Sequence, residues 1–177
     1  MKQYLDENKI TQNFREKLKD DHLYEKHKKS SKNSWLRPIL ILVEYFMSDD
    51  PKPKRIQTND FHVEHILPQK PTLSSQWAKD FSEEERERYT HSLANLTLLG
   101  GKKNTKALSQ ALNQDFKEKK EIYMGKPVAL DNKKTFKVMT CYDMTKNDVC
   151  RYTEWTPKSP EKREKDLMSI IESVLTL

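Results

Sequence analysis

Glycine, cysteine and long apolar runs are scarce in this sequence. Three glycines in 177 residues argue against a β-sandwich or barrel, whose many tight turns need residues that tolerate positive φ. The two cysteines, Cys141 and Cys150, stand in a C-x8-C arrangement that matches no common zinc spacing. They read as two free thiols in a cytoplasmic protein. No apolar run reaches membrane-spanning length: the nearest, Trp35 to Met47, is interrupted by Arg37 and Glu44 and is too short and too polar to span. The opening MKQYLDENKI lacks the apolar region of a signal peptide. These absences predict a soluble, cytoplasmic protein without membrane contact.

Charge is abundant. Charged residues make up 34% of the chain and hydrophobic residues another 34%, which predicts a small compact centre with exposed, charged helices around it. The 33 Lys and Arg outweigh the 27 Asp and Glu to give a net charge of +6. That excess suits a polyanionic partner without being specific for one. The length suits one domain, or one domain with an appendage. No internal repeat or low-complexity linker divides it.

The organising stretch runs from Phe61 to Asn104. FHVEHILP sets His62, Glu64 and His65 in a β-branched and apolar context that Pro68 ends, the pattern of a short strand carrying polar groups. SLANLTLL alternates loosely around Asn95 and reads as a partner strand. Gly100 and Gly101 then break the chain before Asn104, at the mouth of a helical pattern. Strand, loop, strand and helix would gather Glu64, His65, Asn95 and Asn104 into one site.

Those residue types suit phosphodiester hydrolysis. A histidine with a near-neutral pKa can take a proton from water. A hard divalent cation bound by oxygen ligands can hold the scissile phosphate and the leaving oxygen. His65 fits the first role, and Glu64 and Asn104 offer oxygens for the second. The Asn95 amide, both donor and acceptor, can tie down the loop between the strands. One tension remains, because neighbours on a regular strand point to opposite faces. Glu64 and His65 share a site only if the strand twists or ends there. His62 shares the face of Glu64 and is a rival metal ligand. Lys102, Lys103 and Lys106 flank Asn104 and are placed to meet phosphates, and Lys119 could extend that surface. A His beside a Glu on a strand is also a common surface ion pair, and lysines spaced along a helix are ordinarily a solvated face.

These residues resemble the HNH, or ββα-metal, nucleases, whose motif opens Asp/Glu-His-Ile-x-Pro, here Glu64-His65-Ile66-Leu67-Pro68. Asn95 and Asn104 lie nine residues apart, a gap also found in the HNH domain of RNA-guided CRISPR nucleases. The fuller pattern is similar to the C-terminal HNH domain of GmrSD-type, modification-dependent restriction enzymes. It comprises EHILPQ, Trp77, LANLTLL, Asn104, then Phe116, Lys119 and Tyr123, and a tail of Glu154-Trp155-Thr156 followed by Arg163. Two departures are Ala94 where the family usually has Gly before the middle Asn, and the Ser159-Pro160 region in place of the Ile before Arg163. The resemblance implies DNA cleavage with His65 as base, Glu64 and Asn104 as ligands of Mg²⁺ or Mn²⁺, and a role in restriction or phage defence. It also implies substrate sensing by an N-terminal or separate NTPase domain, with this chain an excised nuclease part.

Elsewhere, residues 1–30 read as one helix ending in a basic loop. Ser34 is the expected N-cap of a core helix from Trp35 to Met47, with Pro38 tolerated only in its first turn. A missing partner on that helix is the alternative. Ser82 with Glu83–Glu85 signals a capped helix, and Trp77 and Phe81 read as packing residues. Helices are expected from Asn104 to about Gln110, from about Asn113 to Met124, and from about Pro160 to Leu175, the last carrying an apolar stripe anchored by Trp155. Residues 125–150 read as a strand or an irregular arm.

The expected fold class is α+β, mostly α-helical, with a small ββα-metal core embedded in surrounding helices. Residues 1–56 form an N-terminal helical segment, 57–124 the nuclease core, and 125–177 an extension completing the same domain. The expected function is a metal-dependent HNH DNA endonuclease. The alternatives are a non-catalytic DNA-binding or assembly module that keeps the fold, and a structural zinc site using His62, His65 and the cysteines, which their spacing disfavours.

Overall fold

A computed structural model describes residues 9–29, 34–51, 55–56, 61–100, 110–129, 135–138 and 142–175. Helix α1 spans Ile10–Leu18 and α2 spans Leu23–Lys29. The single helix expected over 1–30 is therefore broken at Asp20. The side chain of Asp20 accepts from the backbone N–H of His22 at 2.9 Å, and its carbonyl accepts from Leu23 at 3.0 Å. Such local bonding by an Asp side chain competes with helix propagation, so the acidic pair Asp20-Asp21 turns the chain. Residues 1–8 lie outside the described part.

Helix α3, Leu36–Met47, holds Pro38 in its first turn and buries Leu36, Ile39, Leu40, Val43 and Glu44, one face of a 3.6-residue period. Ser34 is not its cap: Trp35 takes the N-cap position without a side-chain bond, and Ser34 Oγ instead meets His27 Nδ1 at 3.0 Å. The outer face leaves Phe46 exposed.

Strand β1, Phe61–His65, pairs antiparallel with β2, Leu96–Gly100, so that His62 faces Leu99, Glu64 faces Thr97 and His65 faces Leu96. Between them lie two short helices, α4 (Gln76–Asp80) and α5 (Glu83–Thr90), and a 3-10 turn over Leu93–Asn95. Helix α5 begins with the expected reciprocal cap, in which Ser82 Oγ accepts from Glu85 N and Glu85 Oε2 accepts from Ser82 N. Three glutamates in its first turn favour the positive end of the helix dipole. Helix α6 follows over Phe116–Tyr123, then the β3–β4 pair (Val128–Ala129 with Thr135–Phe136), a π turn over Met144–Asp148, and α7 over Lys158–Leu175. The helix expected just after Asn104 falls almost wholly outside the described residues.

Two apolar clusters support this frame. One joins Leu18 and Leu23 of the N-terminal helices to Leu40 and Val43, to Phe61, Leu96 and Leu98 of the sheet, and to Leu167 and Ile171 of α7. The other packs Ile66 and Leu67 with Trp77, Phe81, Phe116, Tyr123 and Trp155, so all three of the expected packing aromatics are buried. Arg163, fully buried on α7, donates Nε to Asp148 at 2.6 Å and Nη1 to the carbonyls of Ala94 and Leu96 at 2.6 and 2.7 Å. It thus fixes the turn that leads into β2. The fold is α+β and mostly helical around the small antiparallel β1–β2 sheet. Among the described residues, no helix is long and apolar enough to cross a membrane.

Candidate active site

Strand β1 stops at His65, and that ending resolves the tension between neighbouring side chains. Glu64 and His65 both line one cavity of about 390 Å³, together with Tyr24, Gln69, Asn113 and Lys119. The turn after His65 is held by Asn95. Its Oδ1 accepts from Leu67 N at 2.7 Å, and its Nδ2 donates to the carbonyls of Leu67 and Thr90, each at 2.9 Å. The backbone adds a bond from Ile66 N to Asn95 O at 2.9 Å. A fully buried amide with both ends used locks its surroundings, because leaving either end unpaired would cost the desolvation of a polar group. The Asn95 amide thus occupies the loop-tying position that its donor and acceptor groups suit.

His65 is 5% exposed. Its Nδ1 lies 3.2 Å from the amide nitrogen of Gln69, which can only donate, so Nδ1 is the acceptor and the ring proton sits on Nε2. Nε2 is buried and has no hydrogen-bond partner among the described residues. Burial, then the proximity of His91, Lys119 and Lys28, draws the imidazole pKa down to about 3. The ring is accordingly neutral at physiological pH.

Glu64 is tied from below. The Lys119 ammonium lies 2.9 Å from Glu64 Oε1 and donates to the carbonyls of His65 at 2.5 Å and Ile66 at 2.8 Å. Tyr123 donates its hydroxyl to the same carboxylate oxygen at 3.3 Å. Burial lowers the Lys119 pKa and Glu64 opposes that shift. Three acceptors around one nitrogen use all three N–H groups of an ammonium, so the charged form is the one this site is built to hold. Burial, with Glu64 adding to it, pushes the Tyr123 phenol well above its usual range. Phe116, Lys119 and Tyr123 share one face of α6, and that face carries the support for the end of β1.

Two expectations change here. Lys119 has no exposed surface and serves the interior, because the bonds to Glu64 and two carbonyls outweigh solvation of a lysine on this helix face. It is not positioned to meet a phosphate. His62 lies opposite Leu99, one pleat back along β1, and does not line the cavity that Glu64 and His65 share. Asn104 and the lysines Lys102, Lys103 and Lys106 fall outside the described residues, as does Cys141. Among the described residues, no group of three or more His, Cys, Asp or Glu side chains could hold a metal ion.

The sequence did not single out Tyr24 or Gln69. Gln69 had a signal in hindsight: it stands four residues after His65 in EHILPQ. Tyr24 had none, since its link to His65 is purely tertiary. The profile of a known family, "GmrSD restriction endonucleases, C-terminal domain", matches residues 9–170. No curated protein and no solved structure matches the chain.

Proposed function

This chain belongs to the C-terminal domain family of the GmrSD restriction endonucleases, and from that premise we propose that it is an HNH-type, metal-dependent DNA endonuclease in which His65 is the general base. The family implies a nuclease module. The observation that carries the finer reading is the convergence of Glu64 and His65, consecutive in sequence, on one polar cavity. An acid–base histidine next to a carboxylate, with a braced loop behind them, is the arrangement that hydrolysis of a phosphodiester requires.

In this reading the neutral His65, once Gln69 gives up Nδ1, takes a proton from water with that nitrogen, and the water oxygen attacks phosphorus. An imidazole held near pKa 3 is a weak base, but an anionic phosphodiester entering the cavity favours its protonated form and raises that value. Glu64 would hold a divalent cation together with Asn104. Mg²⁺ is commonly bound by only one or two carboxylates, with waters and phosphate completing the shell. The Glu64 carboxylate fits that demand, since Lys119 and Tyr123 engage one of its oxygens. When bound, such a cation supplies charge stabilisation at the phosphate and the leaving oxygen. Asn95 keeps the loop in place, and Lys102, Lys103 and Lys106 supply phosphate contacts beside Asn104. The net charge of +6 suits DNA as substrate. Sensing of modified or phage DNA, in the cytoplasm, would fall to an N-terminal or separate NTPase domain.

A second reading, a DNA-binding or assembly module without catalysis, draws support from the Lys119–Glu64 ion pair, which already neutralises the ligand carboxylate. Plasmid cleavage with Mg²⁺ or Mn²⁺, against an EDTA control and His65→Ala, separates the two. Loss of a general base slows cleavage by about 10²–10⁴-fold. Metal-dependent cutting that the substitution abolishes supports the nuclease. Equal cutting by both proteins removes His65 from the mechanism. DNA binding without cutting, unchanged by EDTA and by His65→Ala, favours the second reading.

A further inference from the structure

The imidazole of His65 is gripped by two rings that the hydrolytic scheme does not use. The Tyr24 ring stands edge-on to it, with centroids 4.4 Å apart and planes at 86°. The His91 ring also crosses it, at 5.4 Å and 87°. Tyr24 and His91 are parallel to one another, within 9° at 6.0 Å. The pair is fixed by the chain itself. The backbone N–H of Tyr24 donates to His91 O at 3.0 Å, joining the first turn of α2 to the end of α5. Glu25, next in sequence, lies 3.5 Å from His91 Nε2. Leu23 is buried in the core on the preceding residue, so α2 is anchored on both sides of Tyr24.

The ring of His65 needs such a grip. Among the described residues one hydrogen bond, between Nδ1 and Gln69, orients it, and one bond leaves an imidazole free to swing about that contact. Its Nε2 edge finds no polar partner among the described residues, so packing must do what a second hydrogen bond does elsewhere. Perpendicular ring contacts of this geometry are favoured by the ring quadrupoles and resist tilting of a ring packed against them. Two of them fix the plane of the imidazole against Tyr24 and His91.

We propose that Tyr24, delivered by the N-terminal helix α2, is a positioning residue for His65: its ring, with that of His91, packs against the imidazole and holds it in place at the cavity. The proposal rests on the assignment of His65 as base. It also makes α2 part of the site. The phenol hydroxyl has no part in it; the ring carries the role.

The test uses the full chain with Tyr24→Phe and Tyr24→Ala, each first checked for a cooperative thermal transition. Ring ¹⁵N–¹H correlation spectra of the metal-free protein read the tautomer and ring order of His65 without any need for activity. Plasmid cleavage then gives kcat and KM. Tyr24→Phe, which keeps the ring, should keep the parent's His65 spectrum. Tyr24→Ala should give a mixed or exchange-broadened His65 tautomer, and should lower kcat by about tenfold to a hundredfold at little change in KM, as misplacement of a reacting group does. A parent-like His65 spectrum in Tyr24→Ala overturns the proposal, whatever the cleavage rate. Equal loss in Tyr24→Phe also overturns it, by moving the role to the hydroxyl. If the parent itself does not cleave, the nuclease assignment fails and the spectra alone decide whether Tyr24 holds the ring.

Discussion

The buried ammonium of Lys119 lies 2.9 Å from the partly buried carboxylate of Glu64, an ion pair between a helix that looks solvated in the sequence and the end of the strand that carries His65. The same ammonium closes on the carbonyls of His65 and Ile66, so a single cation holds both the carboxylate and the backbone beside it. Trp77 and Tyr123 flank that nitrogen at 6.0 and 5.9 Å from their ring centroids, which adds cation–π attraction in a water-poor setting.

Lys119→Met removes the donor to the carbonyls of His65 and Ile66, and at about 1–3 kcal/mol for each buried group left unpaired it should destabilise the fold by about 3 kcal/mol. A phosphate-contacting lysine behaves differently: its loss lowers DNA affinity and makes the salt dependence shallower by about one unit of slope. Urea unfolding and DNA titrations at several salt concentrations distinguish the two. We expect a large drop in the urea midpoint with an unchanged salt slope. Native stability with a shallower slope would return Lys119 to the DNA surface.

The pH dependence of stability should carry the signature of His65. Its folded pKa is near 3, against 6.5 for the ordinary group. Below pH 6.5 the unfolded chain therefore binds a proton that the native state refuses, and stability falls as pH drops. The fall starts near 6.5, continues toward 3, and approaches about 1.4 kcal/mol per pH unit in the middle of that window. His91, whose pKa burial also lowers, adds to the trend with the same sign. Thermal melts from pH 7 to pH 4 should show a steeper decline for the parent than for His65→Gln, which cannot titrate. Parallel curves would mean that the ring is hydrated and not buried.

Much of this architecture is local, and the local part was legible in the sequence. The Ser82–Glu85 cap, the strand at FHVEH and the burial of Trp77, Phe81 and Trp155 each follow from chemistry within a few residues or from bulk hydrophobicity. The amide of Asn95 suited a brace, and its bonds have that form. The features that stayed hidden are tertiary. Lys119 sits in a run, KEKK, that has the composition of a solvated face, and only the arrival of three oxygens from β1 makes its burial tolerable. Tyr24 reaches His65 through the placement of α2, which no spacing in the sequence encodes. Glu44, buried on α3, looked like an interruption of an apolar helix. It accepts instead from the N–H groups of Asp143 and Met144 at 2.8 and 2.9 Å, capping an irregular turn far along the chain. Ser34 failed as a cap because His27 offered its hydroxyl another partner.

Asn95 gives the sharpest distinction between bracing a loop and touching a substrate. In Asn95→Ala the N–H and C=O of Leu67 and the C=O of Thr90 lose their side-chain partners inside a dry core. Each buried group left unpaired costs about 1–3 kcal/mol, and partial rewetting of the turn brings the expected total to about 3 kcal/mol. Asn95→Asp keeps an acceptor for Leu67 N, but it replaces the amide N–H groups with a carboxylate facing two carbonyl oxygens. It should therefore destabilise at least as much as alanine at neutral pH and recover in part at low pH, where a protonated Asp can donate once. Urea denaturation of both variants at pH 7 and pH 5 measures this, with a lower midpoint and an unchanged slope as the expected result. Cleavage by either variant should fall in step with the folded fraction and with displacement of the His65 turn. A variant with native stability that has nonetheless lost cleavage would show that the amide meets the substrate, and the bracing role would have to be given up.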